Sequence, residues 1–566
     1  MSLTSALQIG RSGLLANQAA ISVTGNNIAN VAVAGYHRQA VSLTPAGDQE
    51  LQAGIFFGRG VQLESIMRQV SEGLESRLRD SFSDESGYNA QFNILSQIEA
   101  IQNELSDNDL SSHMTNFFNA WSELANSPTD NSLRAVVIEQ GGVLASYLNT
   151  MQAGLNGLRE SVDTSITQDT QAANDLLTQI ANVNKEIILT EGGSGEAHSL
   201  RDQRDVLLTK LSQYMDISTN EHSNGSIDVF VGSLPIILGD KSRGLDVRTG
   251  TDGNQLTIDV VIADDGSVLR PQTGSLGAMI RSRESDVMGT LSALDDFTHN
   301  LILEVNKVHS QGQGTVGFSN VTSAARVSDA SLALNDPDTQ LDFTPTHGSF
   351  KLYVTQLSSG QRVESSINVD LDGIGADSSL TDIANAINGV ANVSATVSPD
   401  NRLSISVNGS DYQISFGEDT SGILAVMGIN TFFTGGSAQD VAINQTIKSN
   451  PSFLAASQSG SSADNANALA MSQLSTKKIS GANGNSLSQI WEQQVQNLAV
   501  KLSQANQKLD ASIIVRENLT AQQQSYSGVN IDEETINLLA FQRAYQGSAR
   551  FLGVVDEMMQ TLLQLV

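Results

Sequence analysis

Apolar residues recur at both ends of this 566-residue chain with the spacing of helices that pack against another helix. Steps of three and four continue through the last stretch, residues 527–566, where only Ser548 interrupts the row of Leu538, Phe541, Tyr545, Leu552, Val555, Met559, Leu562 and Val566. Near the other end, Leu7, Leu14, Ile21 and Ile28 repeat every seven residues. The sequence predicts a helix over residues 3–24, followed by a turn that begins at the Asn-rich stretch of residues 26–30. A seam of this kind needs a second helix to cover it. We therefore predict that the two ends of the chain pair as an α-helical coiled coil.

Between the ends, the pattern of apolar residues changes from helical to β and back again. A period of two appears in a short stretch at about 217–277 and again through a Gly-, Asp- and Ser-rich region at 319–449, and helical periods occupy the rest. These changes predict a multidomain chain of mixed α and β structure. We expect a terminal coiled-coil assembly domain, a mainly helical body that carries a small β insert, and an inserted, mainly β outer domain. Their predicted bounds are 1–62 with 515–566, 63–318 with 450–514, and 319–449.

The chain is strongly acidic, with a formal net charge of −30 and a pI near 4.4. Nucleic-acid binding depends on Lys and Arg side chains that displace counterions from phosphates, so this charge argues against a nucleic-acid partner. It argues equally against an anionic membrane surface. The chain has no Cys, which excludes disulfides, thiolate nucleophiles and Cys-ligated metals. No apolar run approaches the ~18 residues of a membrane span, and we expect no membrane insertion.

Motifs that carry catalysis or bind a cofactor do not stand out in the sequence. The seven histidines are scattered and form no metal-spaced cluster. Asn368, Asp370 and Asp372 resemble the start of a calcium loop, but the twelfth position of that loop is Ser379 instead of a bidentate Glu. The acidic run at 532–534 is most simply explained by the dipole at the start of a helix. We therefore expect neither enzymatic activity nor a bound metal or cofactor.

Short motifs along the chain resemble those of flagellar axial proteins. One resembles the N-terminal motif shared by rod, hook and hook-associated proteins, and it consists of Asn26, Asn27, Ile28, Asn30, Gly35 and Tyr36. Three further segments resemble the hook-associated protein 1 family in particular. They are Ser-Gly-Val-Asn-Ile-Asp-Glu-Glu at 527–534, Trp-Ser-Glu-Leu-Ala at 121–125 and Asp-Gln-Arg-Asp at 202–205. The β-rich region at 319–449 resembles the family only in kind.

This resemblance implies a structural protein of the bacterial flagellum that forms the junction between hook and filament. Members of the family leave the cell through the flagellar type III export channel and self-assemble at the hook tip, so the resemblance implies a secreted protein that serves motility. The implied partners are copies of the same chain, the hook protein, the second junction protein (hook-associated protein 3) and, through it, flagellin. An export chaperone on the C-terminal helix is also implied.

Three other interpretations remain open at the level of the sequence. One is the hook subunit itself, although the segments at 121–125 and 202–205 and the long helical body argue against it. Another is a secreted enzyme, such as a cell-wall hydrolase on an axial scaffold, which would need a pair of carboxylates in a cleft. The third is an adhesive role for the region at 319–449.

Overall fold

A computed structural model of the chain describes residues 3–52, 54–104, 106, 108–192, 195–252, 255–461, 463–482 and 484–564. Val566, the last member of the predicted C-terminal seam, lies outside the described residues. In chain order, the described α-helices are α1 (Leu3–Asn30), α2 (Glu72–Gln102), α3 (Leu110–Asn126), α4 (Asn131–Glu191), α5 (His198–Ser212), α6 (Gly274–Ser282), α7 (Met288–Ser310), α8 (Leu380–Asn388), α9 (Ile423–Met427), α10 (Gln445–Ser449), α11 (Ala466–Ser472), α12 (Leu487–Ser527) and α13 (Ile531–Gln564).

The strands form small antiparallel sheets. They are β1 (Gln39–Pro45), β2 (Gln49–Gln52), β3 (Ile55–Phe57), β4 (Val61–Arg68), β5 (Ser218–Glu221), β6 (Ile227–Val231), β7 (Leu234–Leu238), β8 (Lys241–Ser242), β9 (Leu245–Asp252), β10 (Gln255–Ile262), β11 (Val268–Leu269), β12 (Asn320–Thr322), β13 (Gly348–Gln356), β14 (Arg362–Val369), β15 (Val393–Val397), β16 (Leu403–Val407), β17 (Tyr412–Gly417), β18 (Phe433–Thr434) and β19 (Ala442–Ile443). The prediction of a mixed α and β chain with long terminal helices is confirmed.

The chain divides into two compact units. The first consists of Met1–Ile94, Ser161–Arg283 and Ser503–Val566, and the second of Leu95–Glu160 and Glu284–Leu502. The three-domain division drawn from the sequence, with its boundaries, stays a prediction.

The first unit holds the terminal helices and four of the sheets. β1 pairs with β4, β2 with β3, and the remaining sheets have the orders β5-β6-β7-β8 and β11-β10-β9. The β1–β4 ladder packs on α1, where the Val61 N–H donates a hydrogen bond of 3.2 Å to the Ser12 hydroxyl. This contact fixes the hairpin to the middle of the first helix.

The first helix is longer than the sequence interpretation allowed. That interpretation ended the helix before Asn26, because Asn favours turns and helix ends, but α1 continues through Asn30. The Asn30 side-chain amide donates to the Asn26 carbonyl oxygen at 2.9 Å, one helical turn back. The chain turns only after this point, where the Val33 N–H donates to the Asn30 carbonyl and the Tyr36 N–H to the Val33 carbonyl.

In the second unit, the sheets β14-β13-β17 and β12-β16-β15 share one apolar core with the short helix α8. The start of this helix has a clear local cause. Ser379 and Asp382 form a capping box, in which the Asp382 carboxylate accepts the Ser379 N–H at 3.0 Å and the Ser379 hydroxyl accepts the Asp382 N–H at 3.2 Å. Leu380 and Ile387 then lie fully buried on the inner face of the helix.

A second core of this unit surrounds the Trp-Ser-Glu-Leu-Ala segment. The Trp121 indole is fully buried and packs against the rings of Phe117, Phe432 and His309. Nearby, the buried Arg134 guanidinium donates to the Pro128 carbonyl at 2.6 Å and to the Leu454 carbonyl at 2.5 Å. These residues are therefore core residues of the second unit, and Arg134 links two of its segments through their carbonyl groups.

Candidate assembly site

The two terminal helices, α1 and α13, pack against each other in antiparallel orientation. A Cβ atom at Gly10 would lie 2.8 Å from the Leu552 side chain, and one at Gly13 would lie 3.1 Å from the Ser548 hydroxyl. Such distances leave no room for a larger side chain at Gly10, so the close approach of the two backbones depends on glycine there. Ser548, the residue that interrupts the apolar seam, lies opposite Gly13.

The predicted seam of α13 is the face that the helix turns toward the protein. Val555 is buried, and the members that are intermediate in burial are Leu538, Phe541, Tyr545, Leu552 and Met559. Leu562 is 50% exposed. On α1 the predicted seam is intermediate throughout, at Leu7, Leu14, Ile21 and Ile28. The fully buried positions of α1 are instead mostly small residues, among them Gly10, Ala16, Ala20 and Val23, because small side chains allow the helices to approach closely.

A second apolar stripe on α13 has no covering element among the described residues. It consists of Ile536, Val554 and Met558, which are 66%, 55% and 53% exposed. These positions lie on another side of the helix from Tyr545 and Val555. We call these three residues the outer face of α13. Exposed apolar groups of this kind mark surfaces that bind another molecule.

The axial-protein motif is organised around the side-chain amide of Asn27, which is 1% exposed. Its Oδ1 accepts hydrogen bonds from the Tyr36 hydroxyl at 2.8 Å and from the Gln39 N–H at 3.0 Å. Its Nδ2 donates to the Gln39 carbonyl and to the Glu534 carboxylate, both at 2.9 Å. One buried amide therefore joins the end of α1, the start of β1 and the first turn of α13.

The carboxylate of Glu534 completes this link from the C-terminal side. Glu534 is 2% exposed, and its Oε1 accepts a hydrogen bond of 2.8 Å from the Arg38 guanidinium. The Arg38 N–H in turn donates to the carbonyl of Ser527, the last residue of α12, at 2.9 Å. The buried carboxylate is thus paired and hydrogen-bonded, which is the condition under which a buried charge is tolerated.

The other motif residues support this arrangement in different ways. Gly35 has a φ of +76°, and a Cβ atom there would lie 2.1 Å from a Val206 methyl group, so both backbone and packing require glycine. Burial raises the pKa of Tyr36 to about 12, with further contributions from the charges of Asp202 and Glu534, so the hydroxyl keeps its proton and donates. Asn26 and Asn30 bond to each other in the last turn of α1, and Ile28 is intermediate in burial.

A buried ionic network lies beside this motif. The His37 Nδ1 is 2.7 Å from Asp202 Oδ1, and its Nε2 is 3.5 Å from Glu75 Oε1. Burial by itself lowers the pKa of His37, but its hydrogen bonds with Asp202 and Glu75 outweigh that effect and raise the pKa to about 9. Arg68 lies 2.7 Å from Asp202 and 2.8 Å from Asp205. The two acids of the Asp-Gln-Arg-Asp segment therefore tie α5 to the β1–β4 hairpin.

Two groups of His and Asp side chains are close enough to share a metal ion, but neither is a convincing metal centre. In the first, formed by His37, Asp202 and Asp205, the Arg68 guanidinium already bridges both carboxylates. The second, formed by His347, Asp370 and Asp372, includes acids of the calcium-like sequence. There, the Asp372 carboxylate accepts the Ile374 N–H at 2.8 Å, as in an ordinary turn.

Comparisons with known proteins find flagellar proteins that are similar to this chain. Residues 95–321 match "Flagellar hook-associated protein FlgK helical domain", residues 522–565 match "Flagellar basal body rod FlgEFG protein C-terminal", and residues 7–37 match "Flagella basal body rod protein". Flagellar hook-associated protein 1 of Bacillus subtilis is 25% identical over 98% of this chain and 97% of its own length. The protein of the same name from Escherichia coli is 25% identical over the whole of both chains. Over its whole length, the chain is similar to hook-associated protein 1.

A solved structure shows the same fold. The flagellar hook junction protein FlgK of Burkholderia pseudomallei aligns with 80% of this chain and all of its own, with a TM-score of 0.50 and 17% identity. The three matched flagellar domains and these relatives identify the chain as a structural component of the bacterial flagellum. Among the described residues, we find no helix that is both long and apolar enough to cross a bilayer.

The sequence analysis missed one central residue of the site, Glu534. It explained the acids at 532–534 by the helix dipole alone, whereas the Glu534 carboxylate is buried against Asn27 and Arg38. A signal for this was present, because Glu534 precedes Leu538 by four residues and therefore lies on the seam face of α13. The partners Arg38 and Gln39 lie just beyond the motif, and nothing in their local sequence marked them.

Proposed function

We propose that the chain forms the junction between hook and filament by helical self-assembly through its paired terminal helices, and that its role is mechanical, not catalytic. The observation that carries the proposal is the outer face of α13. One side of this helix is covered by α1, while the other presents three exposed apolar residues (Ile536, Val554 and Met558). A helix that is apolar on two sides needs a second partner.

In this proposal, the contacts join unlike surfaces of neighbouring subunits. Heterologous contacts of this kind stack subunits into an open helical array instead of closing a ring. The seam residues and the axial-protein motif would then have the role of fixing α1 against α13, so that the outer face is presented in a defined orientation. The terminal domain of 1–62 with 515–566 is proposed as the assembly domain, and the helical body and the 319–449 domain as the parts outside it.

The proposed partners follow from the family. They are further copies of the chain, the hook protein on one side, and the second junction protein with flagellin on the other. Export through the flagellar type III channel and a chaperone bound to the C-terminal helix are part of the same proposal. The outer face of α13 supports the chaperone in particular, since an exposed apolar stripe favours aggregation until it is covered.

Single substitutions in α13 test the assembly step. We expect Met558→Asp, on the outer face, to be exported and folded but absent from the flagellum, because a charge would have to be desolvated in the subunit contact. Leu552→Asp should also prevent incorporation, since Leu552 packs against Gly10 and its loss separates the two helices. Gln560→Asp, which introduces the same charge at an exposed position on another face, is the matched control.

The readout separates export from incorporation. Each variant is quantified in the culture medium and on purified hook and filament preparations, and far-UV circular dichroism checks that the protein is folded. Normal filaments that contain Met558→Asp or Leu552→Asp would refute the assembly role of α13.

Deletion of the gene tests the junction itself. Hooks without filaments, with flagellin shed into the medium, are the expected result. Loss of the hooks would assign the protein to the rod or hook, and intact filaments would contradict the proposal as a whole.

A further inference from the structure

A cavity of about 420 Å³ lies in the first unit, lined by residues of α2, α5, β5 and the start of β6. None of its lining residues belongs to α1 or α13, so the cavity is separate from the assembly site. Two of its lining residues are arginines that are almost completely buried: Arg79 is 5% exposed and Arg204 is 2% exposed. Two guanidinium groups that line one cavity are unusual, because each carries a permanent charge that burial destabilises.

The Arg79 side chain has no direct partner in the part of the chain that the structure describes. No carboxylate oxygen there lies within 4.0 Å of its guanidinium nitrogens, and no described group accepts a hydrogen bond from it. Its charge acts on Glu75 and Asp80 only through space: burial raises the pKa of Asp80 and the charge of Arg79 opposes that rise, while the same charge adds to the hydrogen bonds that lower the pKa of Glu75. Arginine presents five N–H donors in a planar fork, so Arg79 leaves its hydrogen-bonding capacity to the cavity.

The Arg204 side chain is only partly satisfied. One of its terminal nitrogens donates to the Gly225 carbonyl at 2.6 Å and to the Asn184 side-chain oxygen at 3.3 Å. Its Nε is buried without a hydrogen-bond partner. Burial lowers the pKa of Arg204, which reflects a positive charge that its surroundings compensate incompletely.

Carboxylates also line the cavity, and two of them are paired with other cations. Asp205 lies 2.8 Å from Arg68, and Glu221 lies 2.7 Å from Arg201 but 3.7 Å from Arg204. Glu72 is exposed at the start of α2. Glu221 therefore faces Arg204 only at the long distance of 3.7 Å, and Arg79 forms no ion pair with a described carboxylate, although both arginines line the same space.

We propose that this cavity binds a small oxyanion of the phosphate or carboxylate class, held by Arg79 and Arg204. Guanidinium groups form paired, charge-assisted hydrogen bonds with the oxygens of such anions. The bound anion would supply the negative charge that the two buried arginines lack. Its source is either a free ion or a carboxylate side chain of a second copy of this acidic chain. This anion site goes beyond the proposed junction function, because the isolated protein can bind the anion without assembling into a flagellum.

The experiment measures binding of inorganic phosphate and of acetate to the full-length protein by isothermal titration calorimetry and thermal unfolding, in a chloride buffer of constant ionic strength. We expect both ions to raise the melting temperature of the wild-type protein. Arg79→Gln should weaken phosphate binding by at least about tenfold, which corresponds to the loss of one charge-assisted contact. Arg77→Gln, an exposed arginine on the same helix, is the matched control and should bind as the wild type does.

The stability of Arg79→Gln without added anion gives a second, independent result. A site that lacks its anion leaves Arg79 uncompensated, so Arg79→Gln should melt at or above the wild-type temperature in chloride alone. A structural ion pair would give the opposite result. Equal phosphate binding by Arg79→Gln and wild type, the absence of any binding to the wild type, or a lower melting temperature of Arg79→Gln in chloride would each overturn the proposal.

Sedimentation velocity then distinguishes the two sources. If the natural occupant is a carboxylate of a second copy, both phosphate and Arg79→Gln reduce self-association. If it is a free ion, phosphate binds and self-association stays unchanged. Both results support the site, and they assign its occupant.

Discussion

Asn27→Asp replaces the side-chain amide at the centre of the axial-protein motif with a carboxyl group. The substitution keeps the volume of the side chain but replaces the Nδ2 donor with an acceptor oxygen. The Nδ2 of Asn27 donates to the Gln39 carbonyl and to the Glu534 carboxylate, both at 2.9 Å. The variant therefore loses two buried hydrogen bonds and places two carboxylates in contact.

The expected loss can be estimated from these contacts. The bond to a neutral carbonyl contributes about 1 kcal/mol and the bond to a charged carboxylate about 2 kcal/mol. Repulsion between the carboxylates, which is relieved when the pair takes up one proton, adds about 1 to 2 kcal/mol near neutral pH. We expect the α1–α13 contact to lose a total of about 4 kcal/mol of local stability. This loss corresponds to an increase of about a thousandfold in the equilibrium constant for local opening.

Hydrogen exchange of the backbone amides in the last two turns of α1, followed by mass spectrometry, measures this local stability. Exchange there should accelerate by about a thousandfold in Asn27→Asp at neutral pH. Asn26→Asp is the matched control, because Asn26 is exposed and bonds mainly to Asn30. Asn26→Asp should change the local stability by no more than about 0.5 kcal/mol.

The pH dependence provides the sharper test. Contact between the two carboxylates raises the pKa of the pair in the folded protein above its value in the unfolded chain, near 4. The folded state then binds more protons, so the stability of the variant falls as pH rises through the raised pKa. The defect should be smallest near pH 5 and largest above pH 7. A defect that is equal at both pH values, or equal to that of Asn26→Asp, would refute the role assigned to Asn27.

Two further predictions concern the neighbouring segment. Gly35→Ala should cost about 2 to 4 kcal/mol in local stability, because the φ of +76° and the contact with Val206 both oppose a Cβ atom. Adding Val206→Ala to Gly35→Ala should restore only the part of the lost stability that is due to the clash. Hydrogen exchange of the single and the double variant measures this difference. His37 should make the stability of this region depend on pH above neutrality: its folded pKa of about 9 exceeds the usual 6.5, so its contribution is complete below pH 6.5 and is lost as pH rises through 9. Thermal unfolding between pH 6 and pH 10 should show this decline in stability, which is at most about 3 kcal/mol. The stability of His37→Gln should depend less on pH, and identical pH profiles for the two proteins would contradict the assignment.

The apolar pattern was sufficient to predict the elements that depend on local periodicity. The seam of α13 matches the face that the helix buries, from Leu538 to Met559, because a helix places every third or fourth residue on one side. The short helix α8 was predictable for a similar reason, since its cap and its apolar positions lie within nine residues. The end of α1 was predicted wrongly, because Asn26–30 has the composition of a turn, and only contacts made by the folded chain keep it helical.

The sequence by itself therefore determined the mixed α and β architecture, the face of α13 that is buried and, through its motifs, the likeness to hook-associated protein 1. The tertiary structure decided how the motif works. Asn27 and Glu534 are 507 residues apart in the chain, and their hydrogen bond exists only once α1 and α13 are packed. The same holds for Arg79 and Arg204, which no local pattern brings into one cavity. Periodicity records which side of an element is apolar, whereas the partner of a buried polar group is fixed by distant segments that fold against it.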